Sequence, residues 1–344
     1  MTNTIGMAAH LAGQAVRVGW YFGLNTLVDW RSRSLGQRPS YKPQRPVPSA
    51  QALFSDLSQL LLADGLAVRD GVYPPMSSDP APLDHFARIR RMLDDLPTAL
   101  DRRASEDVGS ARRSPAADGL PDYFTQDFHF QTGGYLTSDS ARLYDLQVET
   151  LFMGAAAPMR RVGLRPIADF VHGRDQRKLA LLDVACGTGA FLRDVRRAYP
   201  AMRLTGLDLS QAYLDEARRS FGDLRPATWL AANAEKIPLP DASQDIVTSV
   251  FLFHELPPEV RRGVTAEFAR VLKPGGLLVF IDSLQMGDKP GWDGMLEAFP
   301  VRFHEPYYRH YAIDDLDGMF AAAGLARRET SLAFLSKVMA RTRE

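Results

Sequence analysis

The chain has 344 residues, of which 45% are apolar, and its 41 basic and 41 acidic side chains leave a formal net charge of zero. That balance leaves no basic footprint for a nucleic acid, and the length points to about two domains. The single cysteine, Cys186, excludes an intrachain disulfide and fits a reducing, cytoplasmic compartment.

Residues 1–30 are rich in apolar groups but lack a basic start and a clean cleavage site, so no secretory leader is expected. Gln14, Arg17 and Asn25 interrupt the run that would be needed to span a bilayer. Residues 5–30 read as a helix with a broad apolar face of Leu11, Val18, Tyr21, Phe22, Leu24 and Val28, with Trp20 and Trp30 beside it. Packing on its own body is the first expectation. An interfacial helix that meets a membrane surface or a protein partner is the second.

Prolines and arginines over 32–49 predict an extended arm. Apolar periodicity predicts helices over 50–65, ending at Gly65, and over 82–100. The charged, small-residue stretch 101–120 predicts a mobile linker. Residues 1–120 therefore form a helical extension with linkers. From Tyr123 to Phe130 aromatic residues are dense, and a helix is expected from Ser138 to Met153. This segment, 121–175, is expected to serve as a lid, with a strap packed on the core as the competing reading. His129 within it reads as structural.

An apolar run from Leu179 to Ala185 then breaks at Gly187-Thr-Gly189, and a helical pattern follows through Phe191, Leu192 and Val195. A buried strand, a tight turn and a helix start are implied. Glycines there let backbone and ligand approach closely, and the helix N-terminus presents free N–H groups. A third glycine would complete the dinucleotide fingerprint, but Leu192 stands in its place. Asp208 ends the next strand, where an acid can accept from ribose hydroxyls. A nucleoside fits this pattern and a pyrophosphate does not. Cys186, in the turn, reads as a small packed residue. Further strands are predicted over 203–208, 227–232, 245–251 and 276–282, with helices over 189–199, 210–220 and 258–271. The alternation predicts a parallel sheet covered on both faces.

Asp183-Val-Ala-Cys-Gly-Thr-Gly189, Gly206-Leu-Asp-Leu-Ser210, Ala232-Asn-Ala-Glu-Lys-Ile-Pro238 and Leu272-Lys-Pro-Gly-Gly276 resemble, in order and spacing, the motifs of class I S-adenosylmethionine-dependent methyltransferases. The likeness is to the branch acting on small molecules, quinones and lipids, and it covers roughly 176–344. It implies a Rossmann-like α/β fold with a seven-stranded, mostly parallel sheet, whose last two strands lie within 325–341 and are antiparallel.

It also implies S-adenosylmethionine as cofactor, and no metal. Gly187 and Gly189 would let the methionine portion cross the turn, and Asp183 would help hold its amino group. Asp208 would accept from the ribose, Leu209 would pack on the adenine, and Asn233 would meet the adenine amino edge. Ala185, Ala234 and Phe251 complete the expected cofactor contacts. Strand four ends in Phe251-Leu-Phe-His254-Glu255-Leu-Pro-Pro258. This departs from the Asn/Asp-Pro-Pro-aromatic motif of enzymes that methylate base amines, and so disfavours nucleic acid. His254 is a candidate general base, with a structural histidine as the alternative.

The aromatic insertion at about 284–312 would wall the substrate pocket with Tyr308, His310 and Tyr311, joined by Tyr135, Tyr144 and Glu255. A hydrophobic or aromatic small-molecule acceptor is expected, methylated at oxygen or carbon. The alternatives are a non-catalytic binding or assembly subunit with this fold, and an NAD(P)-dependent reductase. Oligomeric state is left open.

Overall fold

The computed structural model describes residues 2–35, 41–76 and 82–344. Three helices lead: α1 (Thr2–Ser34), α2 (Ala50–Arg69) and α3 (Pro82–Ser105). They are followed by α4 (Ser138–Leu151), α5 (Ala156–Arg161) and α6 (Leu164–Val171). The core then alternates: β1 (Ala180–Val184), α7 (Ala190–Ala198), β2 (Arg203–Asp208), α8 (Gln211–Phe221), β3 (Thr228–Ala231), β4 (Gln244–Val250), α9 (Pro258–Val271) and β5 (Leu272–Ser283). The chain closes with α10 (Asp293–Arg302), α11 (Tyr308–Tyr311), α12 (Leu316–Ala322), β6 (Leu325–Ala333) and β7 (Ser336–Arg343).

The seven strands form one sheet in the order β3-β2-β1-β4-β5-β7-β6. The first five pair in parallel, and β7 runs antiparallel to β5 and β6. Strands β1 and β4 are buried almost throughout; β1 reads as an apolar run broken only by Asp183, whereas β4 carries Gln244, Asp245, Thr248 and Ser249 among its apolar residues. Strand order reverses between β1 and β4, and the carboxyl ends there open the crevice where ligands bind in open α/β sheets. Ala185 (φ 57°) and Phe251 (φ 58°) end these two strands in the left-handed region. Neither is a glycine, so each carries a local conformational cost of the kind that clusters at binding sites.

The amino-terminal helices share the core rather than hanging from it. Leu57, Leu60, Val68 and Tyr73 belong to the same apolar cluster as Leu181, Ile246 and Val279 of the sheet. Tyr21 and Leu24 of α1 pack on Met92 of α3 and on Leu143 and Leu146 of α4. A buried polar clamp ties α1, α2 and α5 together. Arg161 of α5 grips Asp64 of α2 through Nε and Nη2, both at 2.7 Å. Tyr73 donates to the same carboxylate at 2.7 Å, and the His10 ring of α1 meets it at 2.6 Å.

Several expectations need correction. Helix α2 does not end at Gly65 but runs on to Arg69. A Cβ at Gly65 would meet Leu11 at 2.7 Å, so the glycine allows α1 and α2 to approach closely instead of capping a helix. The stretch 101–120 is not a free linker. Its first part is helical, and the Asp127 carboxylate accepts from the Ser110 and Ala111 backbone N–H groups at 2.6 and 2.9 Å. The predicted arm overlaps α1 up to Ser34, and residues 36–40 of it lie outside the described residues. Its remainder is strapped to α10: Gln44 and Arg45 backbone N–H groups donate to Glu297, both at 3.0 Å. Among the described residues, no helix is long and apolar enough to cross a membrane.

Candidate active site

The carboxyl ends of β1, β2 and β4 line a partly open cavity of about 780 Å³. Ala185 and Gly187 come from the turn after β1, Asp208 and Leu209 from the end of β2, Asn233 and Ala234 from the loop after β3, and Phe251 from the end of β4. The residues just before α4 roof it with Tyr123, Phe124, Phe128 and Tyr135, and Tyr144 of α4 joins them.

The glycine turn is held from inside the chain. The Gly187 N–H donates to Asp208 Oδ2 at 2.8 Å, and the Ser210 N–H donates to Oδ1 at 2.8 Å. Gly189 starts α7 with φ 71°, and a Cβ there would meet the Trp229 ring at 3.1 Å and Ala217 at 3.2 Å. Gly189 does not line the cavity; its role in the fold is the left-handed turn and the close approach to Trp229 and Ala217. Asp183 sits beneath the cavity, fully buried, accepting from the Thr248 hydroxyl at 2.6 Å.

Burial raises both acids. Asp183 is pushed up to about 7, with the nearby Asp208 adding to the effect. Asp208 is pushed up to about 6, although its backbone donors work in the other direction. Two desolvated carboxyls beside one cavity favour a ligand that brings positive charge and hydroxyl donors.

A second polar group lies at the end of β4. Tyr135 donates to Glu255 Oε1 at 2.6 Å, and Glu255 lines the cavity. Burial first, and then the neighbouring Glu305, push Glu255 up to about 8. His254 points elsewhere. Its Nδ1 bonds Asp282 Oδ1 at 2.5 Å, and Asp282 Oδ2 accepts the Phe253 N–H at 2.7 Å. Burial works against the histidine's charge, but Asp282 outweighs it and holds the ring up to about 10. His254 is thus an imidazolium at neutral pH, 4.0 Å from Glu255.

His129, Glu255 and Glu305 each offer one metal-ligating atom, and these atoms lie within 4.8 Å of one another. His129 Nε2 lies 3.0 Å from Glu305 Oε1, and His254 Nε2 lies 4.0 Å from Glu255 Oε1.

Of the expected substrate wall, Tyr135, Tyr144 and Glu255 meet at the cavity; Tyr308, His310 and Tyr311 do not line it. Tyr308 bonds the Ser283 hydroxyl at 2.6 Å, and Tyr311 donates to the Ser283 carbonyl at 2.5 Å. Both support the ring of His254 from behind. His310 is exposed on the opposite face of the short helix α11, beside Arg261 at 3.2 Å. Tyr213 of α8 was not anticipated. It lines the cavity, packs edge-on to Tyr135 and Tyr144 with centroids 5.4 Å away, and its hydroxyl bonds Ser140 at 2.9 Å. Its position three residues after the Ser210 helix cap was the available signal, because that turn faces the glycine loop.

Residues 181–276 match the family described as "Methyltransferase domain". The chain is similar to the ubiquinone/menaquinone biosynthesis C-methyltransferase UbiE of Desulfotalea psychrophila, at 33% identity over 193 residues, covering 56% of this chain and 69% of that protein. It is also similar to a demethylmenaquinone methyltransferase of Listeria monocytogenes, at 34% identity over 149 residues, covering 40% of this chain and 62% of that one. The solved structure of human N-acetylserotonin methyltransferase in complex with SAM shares the fold, with TM-score 0.51 and 14% identity over 75% of this chain and 70% of that one. The ordered motifs, the seven-stranded sheet and the extended match to a relative together give the assignment: the chain belongs to the class I S-adenosylmethionine-dependent methyltransferases.

Proposed function

We propose that this enzyme methylates a hydrophobic, aromatic small molecule of the quinol type at carbon or oxygen. The observation that carries the reading is the cavity: aromatic on its roof, with the half-buried carboxyl of Glu255 in its wall, bonded to Tyr135. The relatives named for ubiquinone and menaquinone synthesis support a quinone-like acceptor. In this reading residues 176–344 are the catalytic core, 121–175 the lid and 1–120 a supporting helical extension.

S-adenosylmethionine supplies, when bound, an electrophilic methyl group on a sulfonium. The residues present suit it. The glycine turn at 187–189 leaves room for the methionine portion, and Asp183, buried beneath the cavity, would ionise to meet the charge of the amino group. Asp208 would accept from the ribose and Leu209 would flank the adenine. Asn233 has an acceptor oxygen for the adenine amino group. Ala185, Ala234 and Phe251 complete the wall.

Glu255 is the group placed to take the acceptor's proton. It faces the cavity, and its raised pKa brings it near the range where a general base works best. His254, already protonated through Asp282, fixes the Glu255 loop and holds positive charge beside it. The aromatic roof excludes water and orients a flat ring, and alignment of the reacting atoms is a large part of the rate in such transfers.

The test is calorimetry with S-adenosylmethionine, S-adenosylhomocysteine and NADPH, on wild type and Asp208→Ala, followed by transfer of labelled methyl to short-chain hydroquinones. Binding of the first two, at least tenfold weaker in the variant, and label in the hydroquinone are expected. Binding of both cofactor forms without transfer to any hydroquinone would sink the acceptor class. Absence of binding in wild type would favour an assembly subunit with this fold.

A further inference from the structure

From Asn3 to Leu27, no exposed residue of α1 carries a charge. The cation in that span, Arg17, is turned inward onto Glu149 at 2.9 Å and the Gly154 carbonyl. The outward face instead carries Ile5, Val16 (75% exposed), Trp20 (44%) and Leu27. Between them stand Ala9, Ala12, Gly13, Gly19 and Gly23, also exposed. The surface continues sideways. Phe22 contacts exposed Phe54 of α2 with ring centroids 6.2 Å apart, and Trp20 meets exposed Phe86 of α3 edge-on at 5.9 Å. A contiguous apolar face of this size on a folded protein marks an interaction site.

We propose that a second copy of the chain covers this face, α1 against α1, antiparallel about a two-fold axis at Val16. The sequence of the face is self-complementary in that register. Trp20 falls over Ala12 of the partner copy, Gly23 over Ala9, Leu27 beside Ile5, and Gly19 over Gly13. The bulkiest side chain meets a small one, and the glycines let the backbones come close. A two-fold interface requires this kind of self-complementarity. Asp29, just past the face, lands near the partner helix's N-terminus, where the helix dipole favours an anion.

The area is also adequate. The face runs roughly 36 Å at about 1.5 Å per residue and roughly 20 Å across neighbouring helices. That is on the order of 700 Å², close to the ~800 Å² per partner of a stable complex. A lipid surface fits less well. Helices that lie on bilayers show lysines and arginines on their polar face, whereas the polar face of α1 is buried in its own body. The exposed side of α2 has no basic residue before Arg69.

The experiment uses the full chain. Sedimentation at micromolar concentration is expected to give twice the 38.2 kDa chain mass. Val16→Cys is expected to form a disulfide-linked dimer on mild oxidation, because a two-fold axis brings the same side chain of both copies together. The natural thiol, Cys186, is buried and does not compete. Val16→Arg sets like charges face to face and should raise the dimer dissociation constant on the order of 100-fold, with circular dichroism unchanged. A monomer at 100 µM overturns the proposal. If that monomer pellets with phosphatidylcholine vesicles, the face is a lipid-docking surface instead. A dimer that survives Val16→Arg and does not cross-link through Val16→Cys also overturns it.

Discussion

Moving the rising limb of the pH–rate profile in opposite directions with two substitutions tests the role given to Glu255. If Glu255 receives the acceptor's proton, kcat/KM follows its ionised fraction. Titration near pH 8 leaves roughly a tenth ionised at pH 7 and about nine-tenths at pH 9, so the rate should rise about tenfold between them. Tyr135→Phe removes the 2.6 Å hydrogen bond to the carboxylate. Bonds to charged groups contribute ~1.5–3 kcal/mol, so the limb should move up by about one pH unit or more.

Glu305→Gln acts the other way. Its ligating oxygen lies no more than 4.8 Å from that of Glu255, and a pair at that distance repels by roughly 3 kcal/mol at an effective dielectric of about 20. The limb should fall by up to about two units. Ionisation of the acceptor is common to all three proteins and cancels in the comparison. The assay is methyl transfer to a hydroquinone at saturating cofactor from pH 6 to 10. Two variants moving in the same direction, or a limb that ignores both, would refute Glu255 as the proton acceptor.

Three other outcomes are expected. Glu255→Gln should lower kcat on the order of 10²–10⁴-fold while S-adenosylhomocysteine binding by calorimetry changes little. Asp183, raised to about 7 in the fold, keeps its proton in the folded state at pH values where the unfolded chain has lost it. Its contribution is therefore fully present near pH 4 and is lost as pH rises through 7. Asp183→Asn should flatten that loss, on the order of 2–4 kcal/mol, in urea unfolding of the cofactor-free protein at pH 5 and 8; equal slopes in both proteins would contradict the assignment. Asp64→Ala strands the buried Arg161 and should cost about 3–5 kcal/mol of stability, visible as a lower urea midpoint.

The core was readable because its rules are local. Strand β1 is buried on both faces and so appears as an apolar run broken only by Asp183, and the glycine turn and Asp208 follow at fixed spacing. The substrate side was only partly readable. Tyr308 and Tyr311 are three residues apart and share a helix face, which sets His310 on the other one; helical spacing would have separated them. The surroundings of His254 were out of reach for a different reason. What fixes the histidine's proton is Asp282, at the end of another strand, and pairing across strands leaves no local trace. The same holds for the clamp, where Asp64 finds Arg161 at a distance of 97 residues in sequence. Gly65 misled because a glycine in a helix can serve either a cap or a close helix contact.

The inward grip of α1 sets a timetable for the chain as it is made. Arg17 leaves the ribosome 137 residues before Gly154, whose carbonyl it must reach. At ~5–20 residues per second that is a wait of roughly 7–27 s. Throughout it, α1 has α2 and α3 to pack on but lacks α4, whose Leu143 and Leu146 cover Tyr21 and Leu24, and those apolar residues stay partly uncovered. The amino-terminal third is thus the part of the nascent protein most dependent on chaperone shelter.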